Sequence, residues 1–260
     1  MSVPIDRRNA ILTILENMDY AEVSYLSKKF NVSEMTIRRD LEKLEKDGEL
    51  IRLFGGAKLK TKRVYEGTIE ERLSTNLLEK QKIAEEAIKL ISDGDVIAFD
   101  ASTSALEVSK RLRGFESLTV VTNNLSIAVE LSNVKGVATI LLGGYVRGKS
   151  LSTIGASLHQ YMNSIFIDKC FISSKSLSFE NGLTDSTIDE GEAKQAMIHK
   201  SNQVIVLADQ KKIETVAFFQ VCESNEIHTL ITNEDIDMLP EIEESLENFR
   251  SNGTNVIIAR

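Results

Sequence analysis

Apolar residues recur at helical spacing near the N-terminus. From residue 79 onward they gather instead into short apolar runs separated by amphipathic stretches. Ala10, Ile11, Ile14, Leu15 and Met18 fall at i, i+1, i+4, i+5 and i+8, one face of a helix. Val23, Leu26 and Phe30 predict a second, short helix, and Asn31-Val32 a turn. Ser33 is a suitable N-cap for a third helix that carries Met35, Ile37, Leu41 and Leu44 and stops at Gly48. Leu50 to Phe54, the pair Gly55-Gly56, and Ala57 to Leu59 then read as a small hairpin. Three helices and a hairpin predict a winged helix-turn-helix over residues 1–60.

Residues 61–78 carry Arg63, Glu66, Glu70, Glu71 and Arg72 without a sustained period and read as a connector. Over residues 79–260, helical patterns at 79–92, 104–113, 125–133, 190–201 and 237–249 alternate with apolar strands. The strands are expected at 95–100, 118–122, 137–142, 168–173, 203–208, 227–232 and 255–259. Such alternation predicts right-handed crossovers and an α/β domain with a mainly parallel sheet covered by helices.

The 260 residues are 42% hydrophobic and 27% charged, an ordinary globular balance. The apolar runs fall short of the roughly 18 residues a bilayer span needs, so no membrane partner and a cytoplasmic location are expected. Cys170 and Cys222 lie in apolar runs without partner spacing and read as buried reduced thiols; no metal or cofactor is called for. The net charge of −8 hides an asymmetry: residues 1–63 hold 13 Lys and Arg against 10 Asp and Glu, or +3, leaving −11 for the rest. Different partners for the two parts follow.

In the third helix, Ile37 and Leu41 face the core, which leaves Glu34, Met35, Thr36, Arg38 and Arg39 to point outward. A recognition helix presents such residues to base edges and phosphates in the major groove. Taken alone, the two arginines fit equally well as solvated cations paired with Glu42 or Glu45; the preceding helix, turn and hairpin favour DNA. In the hairpin, Arg52 and Lys58 flank Gly55-Gly56, which permit positive φ and a close backbone approach to phosphate. A plain tight turn is the competing reading.

The run Val32-Ser-Glu-Met-Thr-Ile-Arg-Arg-Asp-Leu-Glu-Lys-Leu-Glu-Lys-Asp-Gly48, with Ile51-Arg52 and Phe54-Gly-Gly-Ala57, resembles the N-terminal domain of the deoxyribose operon repressor (DeoR) family of bacterial transcription regulators. The resemblance continues through Glu71-Arg72-Leu73, Gly94-Asp95, Val121-Thr-Asn123, Leu142-Gly-Gly144, Lys194, Leu207-Ala-Asp209 and Lys212. Phe54 departs from it, standing where many members have His before the glycine pair. The resemblance implies a C-terminal domain similar in fold to ribose-5-phosphate isomerase that binds a phosphorylated sugar.

The segment Asp95 to Val108 predicts a strand ending at Asp100, a loop of small hydroxyl residues, and a helix. Ligands of α/β sheets gather at the carboxyl ends of strands. The free N–H groups of a helix N-terminus with Ser102, Thr103 and Ser104 suit a phosphate, although a hydroxyl that merely caps the helix accounts for the same spacing. Relatives commonly show Asp-x-Gly-Thr-Thr/Ser here, against Asp100-Ala-Ser-Thr-Ser104 in this chain. Further effector candidates at strand ends are Asn123, Gly143, Gly144, Arg147, Lys175 and Asp209, with Glu190 and Lys194 on the following helix; the last two also fit an ordinary i, i+4 ion pair. Ser173-Ser-Lys-Ser176 stands where many relatives carry Gly-Ala-Asp-Gly. Lys175 cannot serve as an isomerase carboxylate and favours a second anionic group on the ligand.

The expected function is therefore a repressor of a carbohydrate-metabolism operon, with no catalytic residues. Its expected partners are double-stranded operator DNA, a phosphorylated sugar and further copies of itself, as dimer or tetramer. The alternative is a sugar-phosphate isomerase with an accessory DNA-binding domain.

Overall fold

The computed structural model describes residues 4–17, 20–53, 55–59, 69–235 and 238–260. Met18, Phe54, Arg63 and Glu66, singled out in the sequence, lie outside the described residues. The chain divides into two compact units, Met1–Tyr65 and Glu66–Arg260.

The first unit runs α1 (Pro4–Asn17), β1 (Ala21–Glu22), α2 (Val23–Phe30), α3 (Glu34–Lys46), β2 (Leu50–Leu53) and β3 (Gly56–Leu59). Its core is the predicted set of faces: Ile11 and Leu15 of α1, Leu26 of α2, Ile37, Leu41 and Leu44 of α3, with Leu50 and Ala57 from the hairpin. Asn31 takes the left-handed conformation (φ 51°) that turns α2 into α3. Ser33 caps α3, its side chain accepting from the Thr36 amide. A buried ion pair, Arg7 Nε to Asp40 Oδ2 at 2.7 Å, ties α1 to α3. The wing is a three-stranded sheet in the order β1-β3-β2.

The second unit opens with α4 (Ile69–Ser74) and α5 (Leu77–Ile88), continues β4 (Val96–Phe99), α6 (Thr103–Ser109), β5 (Leu118–Thr122), α7 (Leu125–Leu131) and β6 (Val137–Leu141), then forms a ribbon of β7 (Tyr145–Arg147) and β8 (Ser152–Ile154). There follow α8 (Ala156–Met162), β9 (Ile167–Ile172), β10 (Ser176–Ser178), β11 (Gly182–Asp185), α9 (Ile188–Ile198), β12 (Ser201–Leu207), β13 (Phe219–Cys222), β14 (Thr229–Asn233), α10 (Pro240–Ser251) and β15 (Asn255–Ala259). Helix α4 falls inside the stretch read from sequence as a connector. Its buried Ile69 and partly buried Leu73 are an i, i+4 pair, one turn, too short to register as a period.

The main sheet has the order β15-β14-β12-β9-β4-β5-β6, every neighbouring pair parallel. Successive side chains of a strand point to opposite faces. In β4, Ile97 and Phe99 join one apolar cluster and Ala98 the other; in β9, Phe171 faces one way, Cys170 and Ile172 the other. Residues of α5, α6 and α7 cover the first face, and residues of α8, α9 and α10 the second. The strand order reverses at β4, whose neighbours are β9 on one side and β5 on the other. Because all seven strands run the same way, the loops after β4, β5, β6, β9 and β12 emerge at one edge, beyond the reversal, where ligands of such sheets bind.

Candidate functional site

In the first unit the α3 surface is polar and open. Glu34, Met35, Arg38 and Arg39 are exposed and Thr36 is half-buried. Arg38 pairs with Glu34 one turn earlier at 3.4 Å, and Arg52 pairs with Glu45 at 2.7 Å. The Glu45 carboxyl is held below its ordinary range by hydrogen bonds from the Arg52 amide and guanidinium. Arg52 thus braces the wing against α3. Thr36 shares a 2.9 Å hydroxyl contact with Ser33 and is part of the cap. Arg39 and Lys58 are exposed and make no ion pair among the described residues, which leaves both open to an external anion. The glycine pair has an internal reason: Gly55 takes φ +82°, and a Cβ on Gly56 would lie 2.3 Å from the Ala21 carbonyl oxygen. Glycine at 56 lets β3 pair against β1.

In the second unit the strand ends carry an interlocked set of buried charges. Lys194, on α9, places Nζ 2.9 Å from Asp185 Oδ2 and 3.4 Å from Asp100 Oδ2. Asp100 also accepts from the amides of Ser102 and Ser173, and Asp185 from the Ser174 hydroxyl and the Ser186 amide. Burial by itself lowers a lysine, but Asp185, Asp100 and Glu190 reverse this and raise Lys194 above the ordinary lysine range. Burial raises Asp100 in spite of Lys194. For Asp185 burial is outweighed by Lys194 and the Ser174 hydroxyl, and for Glu190 by Lys194 and two serine hydroxyls; both stand low.

Glu190 and Lys194 do not form the i, i+4 pair their spacing allowed. Glu190 Oε1 instead accepts from the hydroxyls of Ser150 (2.7 Å) and Ser152 (2.5 Å) and from Arg147 (3.3 Å), all on the β7–β8 ribbon.

On the other side of β9 the balance is cationic. Lys212 donates to Ser173 Oγ at 2.8 Å and lies 3.7 Å from Asp209. Burial and the charges of Arg72 and Lys175 lower it, with Asp209 and Asp100 opposing. Asp209 accepts from Asn76 at 2.9 Å, and Arg72 donates to the Ala101 carbonyl at 3.3 Å. Buried Lys80 donates to the carbonyls of Arg72 and Thr75, closing α4. Burial, helped by Lys212 and Arg72, brings Lys80 down to about 8.

Of the expected effector residues, Asp100, Ser102, Thr103, Ser104, Asn123, Glu190, Lys194 and Asp209 are all buried at this edge. Ser102 caps α6, accepting from the Ala105 amide, as the capping reading has it. Ser104 Oγ and Asn123 Oδ1 are buried with no hydrogen-bond partner among the described residues. Lys175 is exposed at the rim. Gly143 and Gly144 are exposed; a Cβ on Gly144 (φ +152°) would meet the Ile154 carbonyl oxygen at 2.2 Å, so that glycine serves the entry into the ribbon.

Residues the sequence reading left out of the site are Asp185, Ser150, Ser152, Ser174, Arg72, Asn76, Lys80 and Lys212. Lys80 had a signal: it shares a helix face with Ile83, Ala84 and Ala87, where a lysine is out of place unless its ammonium has a partner. A concavity of about 400 Å³ between α8 and α9, lined by His159, Met162, Glu192 and His199 among others, lies away from these groups. Cys170 and Cys222 are free and buried, and burial pushes both thiols up. No helix among the described residues is long and apolar enough to cross a membrane.

A winged helix-turn-helix joined to an α/β body with a charged strand-end site defines a ligand-responsive transcription regulator. Residues 7–63 match the DeoR-like helix-turn-helix domain, and residues 75–234 match the DeoR C terminal sensor domain. The chain belongs to the DeoR family. It is 38% identical over 89% of its length to the uncharacterized HTH-type transcriptional regulator YulB of Bacillus subtilis (strain 168), covering 90% of that protein. It is 36% identical to the HTH-type transcriptional repressor GlcR of the same organism, over 88% of each chain. A ribose 5-phosphate isomerase from Methanocaldococcus jannaschii is 16% identical, with TM-score 0.40 over 54% of this chain and 55% of that one.

Proposed function

We propose that the protein is a repressor of a carbohydrate-metabolism operon whose grip on operator DNA is set by a phosphorylated sugar bound over the C-terminal ends of β4, β5, β9 and β12. The observation that carries this reading is the edge itself. Buried Ser104 Oγ and Asn123 Oδ1, with Asn124 Nδ2 next in sequence, lack hydrogen-bond partners among the described residues, and a buried polar atom without a partner costs about 1–3 kcal/mol unless something meets it. Hydroxyl-rich ligands supply such partners, while Lys212 and the α6 loop suit an anion. Exposed Lys175, whose charge reaches Lys212, fits an effector with a second anionic group. Lys175→Ala should then lose more affinity for a doubly anionic sugar derivative than for a singly phosphorylated one, and equal losses would count against this.

The isomerase alternative is not favoured. A general base must reach the proton it takes, whereas Asp185 and Glu190 are held low, and Asp100, which burial raises, is fully buried with its oxygens engaged by Lys194 and the amides of Ser102 and Ser173. In the DNA-bound arrangement, Arg39, Arg38, Met35 and Glu34 of α3 face the major groove, with Lys58 of the wing on phosphate. Two copies act together, since one recognition helix covers one half-site. Effector and operator are linked reciprocally: whichever way the sugar moves DNA affinity, DNA moves sugar affinity by the same factor. A thermal-shift screen of sugar, polyol and sugar-acid phosphates, repeated with DNA, tests this. A ligand that raises Tm should do so by a different amount when operator is bound, and the absence of any stabilising phosphate would remove the reading.

A further inference from the structure

Helix α3 turns its buried stripe, Ile37, Asp40, Leu41 and Leu44, toward the core of the first unit. At about 3.6 residues per turn, the ridge diametrically opposite is Met35, Arg39, Glu42 and Lys46, at i, i+4, i+7 and i+11. Glu42 and Lys46 pair with each other at 3.4 Å, so the C-terminal half of that ridge is neutral. Its N-terminal half is Met35 and Arg39. On the neighbouring ridge Glu34 and Arg38 likewise pair with each other, and Thr36 is held in the Ser33 cap. Met35 is 59% exposed, the most exposed large apolar side chain among the described residues of the first unit, ahead of Leu53 and Tyr25. It has no place in the apolar core of this unit. A lone exposed methionine needs no explanation on a helix that meets only water. This one is the second residue of the recognition helix and stands on its outermost ridge, and the N-terminal residues of such a helix are the ones that reach base edges.

We infer, resting on the DNA-reading role proposed above, that Met35 is a specificity-determining residue that reads the C5-methyl group of a thymine in each operator half-site. In the major groove every base presents hydrogen-bond donors or acceptors, and thymine alone adds a methyl group. A thioether has no donor and only a weak acceptor, so it cannot read the polar edges of the other bases. Its three rotatable bonds and soft sulfur let it close over a methyl instead. Taking one methyl out of water contributes about 0.8 kcal/mol, a factor of about four in affinity. Arg39 lies one turn further along the same ridge, so the base or phosphate it meets neighbours that thymine.

The test selects duplexes from a randomised pool with the full chain, then replaces each thymine of the selected operator in turn by deoxyuridine, which deletes the C5-methyl and leaves base pairing intact. Affinities are read by fluorescence anisotropy for the wild type, Met35→Ala and Met35→Leu. In the wild type one thymine of each half-site should be sensitive, its replacement weakening binding by about fourfold. Met35→Ala should bind the thymine and deoxyuridine operators alike at that position, and Met35→Leu, which keeps an apolar side chain, should retain the preference. Binding of Met35→Ala to a nonspecific duplex, which rests on phosphate contacts, should stay at the wild-type level and reports that the variant is folded. A pool that yields no preferred duplex would overturn the DNA-reading role itself. A selected operator in which no thymine methyl matters, or in which the same methyl matters equally to Met35→Ala, would overturn the assignment to Met35 alone. The deoxyuridine scan of the wild type needs no variant, so no folding defect can mask it.

Discussion

Replacing Lys194 by Met removes one cation from a site with three acids around it. Its Nζ lies 2.9 Å from Asp185 and 3.4 Å from Asp100, and Glu190 also feels its charge. Methionine keeps the length and apolar volume, so the perturbation is chiefly the charge. Breaking a buried pair by removing one partner costs about 3–5 kcal/mol, because the other charge is left buried without compensation. For a unit of this size each kcal/mol moves Tm by about 2–4 °C, giving a fall of roughly 6–20 °C at neutral pH. The pH dependence carries the sharper test. In the wild type, Asp185 and Glu190 stand below their ordinary values. Their stabilisation is thus present above the unfolded-state pKa and is lost as pH falls through the folded-state value. In Lys194→Met the same carboxyls lack their cation, burial raises them, and acid stabilises the folded state. The two Tm curves should converge between about pH 7.5 and pH 5 by differential scanning calorimetry. A constant gap at all pH values, or a fall of less than about 3 °C at pH 7.5, would refute the view that Lys194 neutralises this site.

Arg39→Ala should weaken operator binding by about 1–3 kcal/mol and relax specificity at one position if it reads a base, measured by fluorescence anisotropy against operator variants; a loss uniform across sequences would reassign it to phosphate. Lys58→Ala should leave specificity intact and reduce the slope of log affinity against log salt by about one. Gly56→Ala forces a methyl to within 2.3 Å of the Ala21 carbonyl oxygen, so it should lower the stability of the first unit by roughly 1–3 kcal/mol in a urea titration, with no change expected in the second unit.

Much of the architecture is legible in the residue pattern because it rests on long-lived periodicities. The seven main strands are apolar runs, the inner ones buried on both faces, and α1, α3 and α5 are several turns long, so each announces itself. The β7–β8 ribbon, α8 and the small sheet β10-β11-β13 do not. Their strands are three or four residues long, too short to show alternation. The strand ends point to Asp100, Asn123 and Asp209 for a topological reason, since parallel strands deliver them to one edge. Asp185 escapes because it closes β11, outside the main sheet, and reaches the site through Lys194 and Ser174. Asn76 and Asp209 meet across more than a hundred residues of sequence, a separation that no local pattern encodes. Glu190 is misread in a different way: its spacing to Lys194 is right for a pair, but three donors from the ribbon are nearer.

The order β15-β14-β12-β9-β4-β5-β6 also sets a timetable for synthesis. β4 finds β5 in the next stretch of chain, but its other neighbour, β9, begins only at Ile167, and β15 begins at Asn255. Parallel partners so far apart in sequence are joined late. A growing chain therefore exposes the winged helix-turn-helix segment well before the middle of the sheet can close. Any chain that stops short of Asn255 leaves the outer edge of β14 uncovered, open to pairing with a strand of another molecule. The five residues of β15 are, in that sense, what keeps β14 from standing as an open edge.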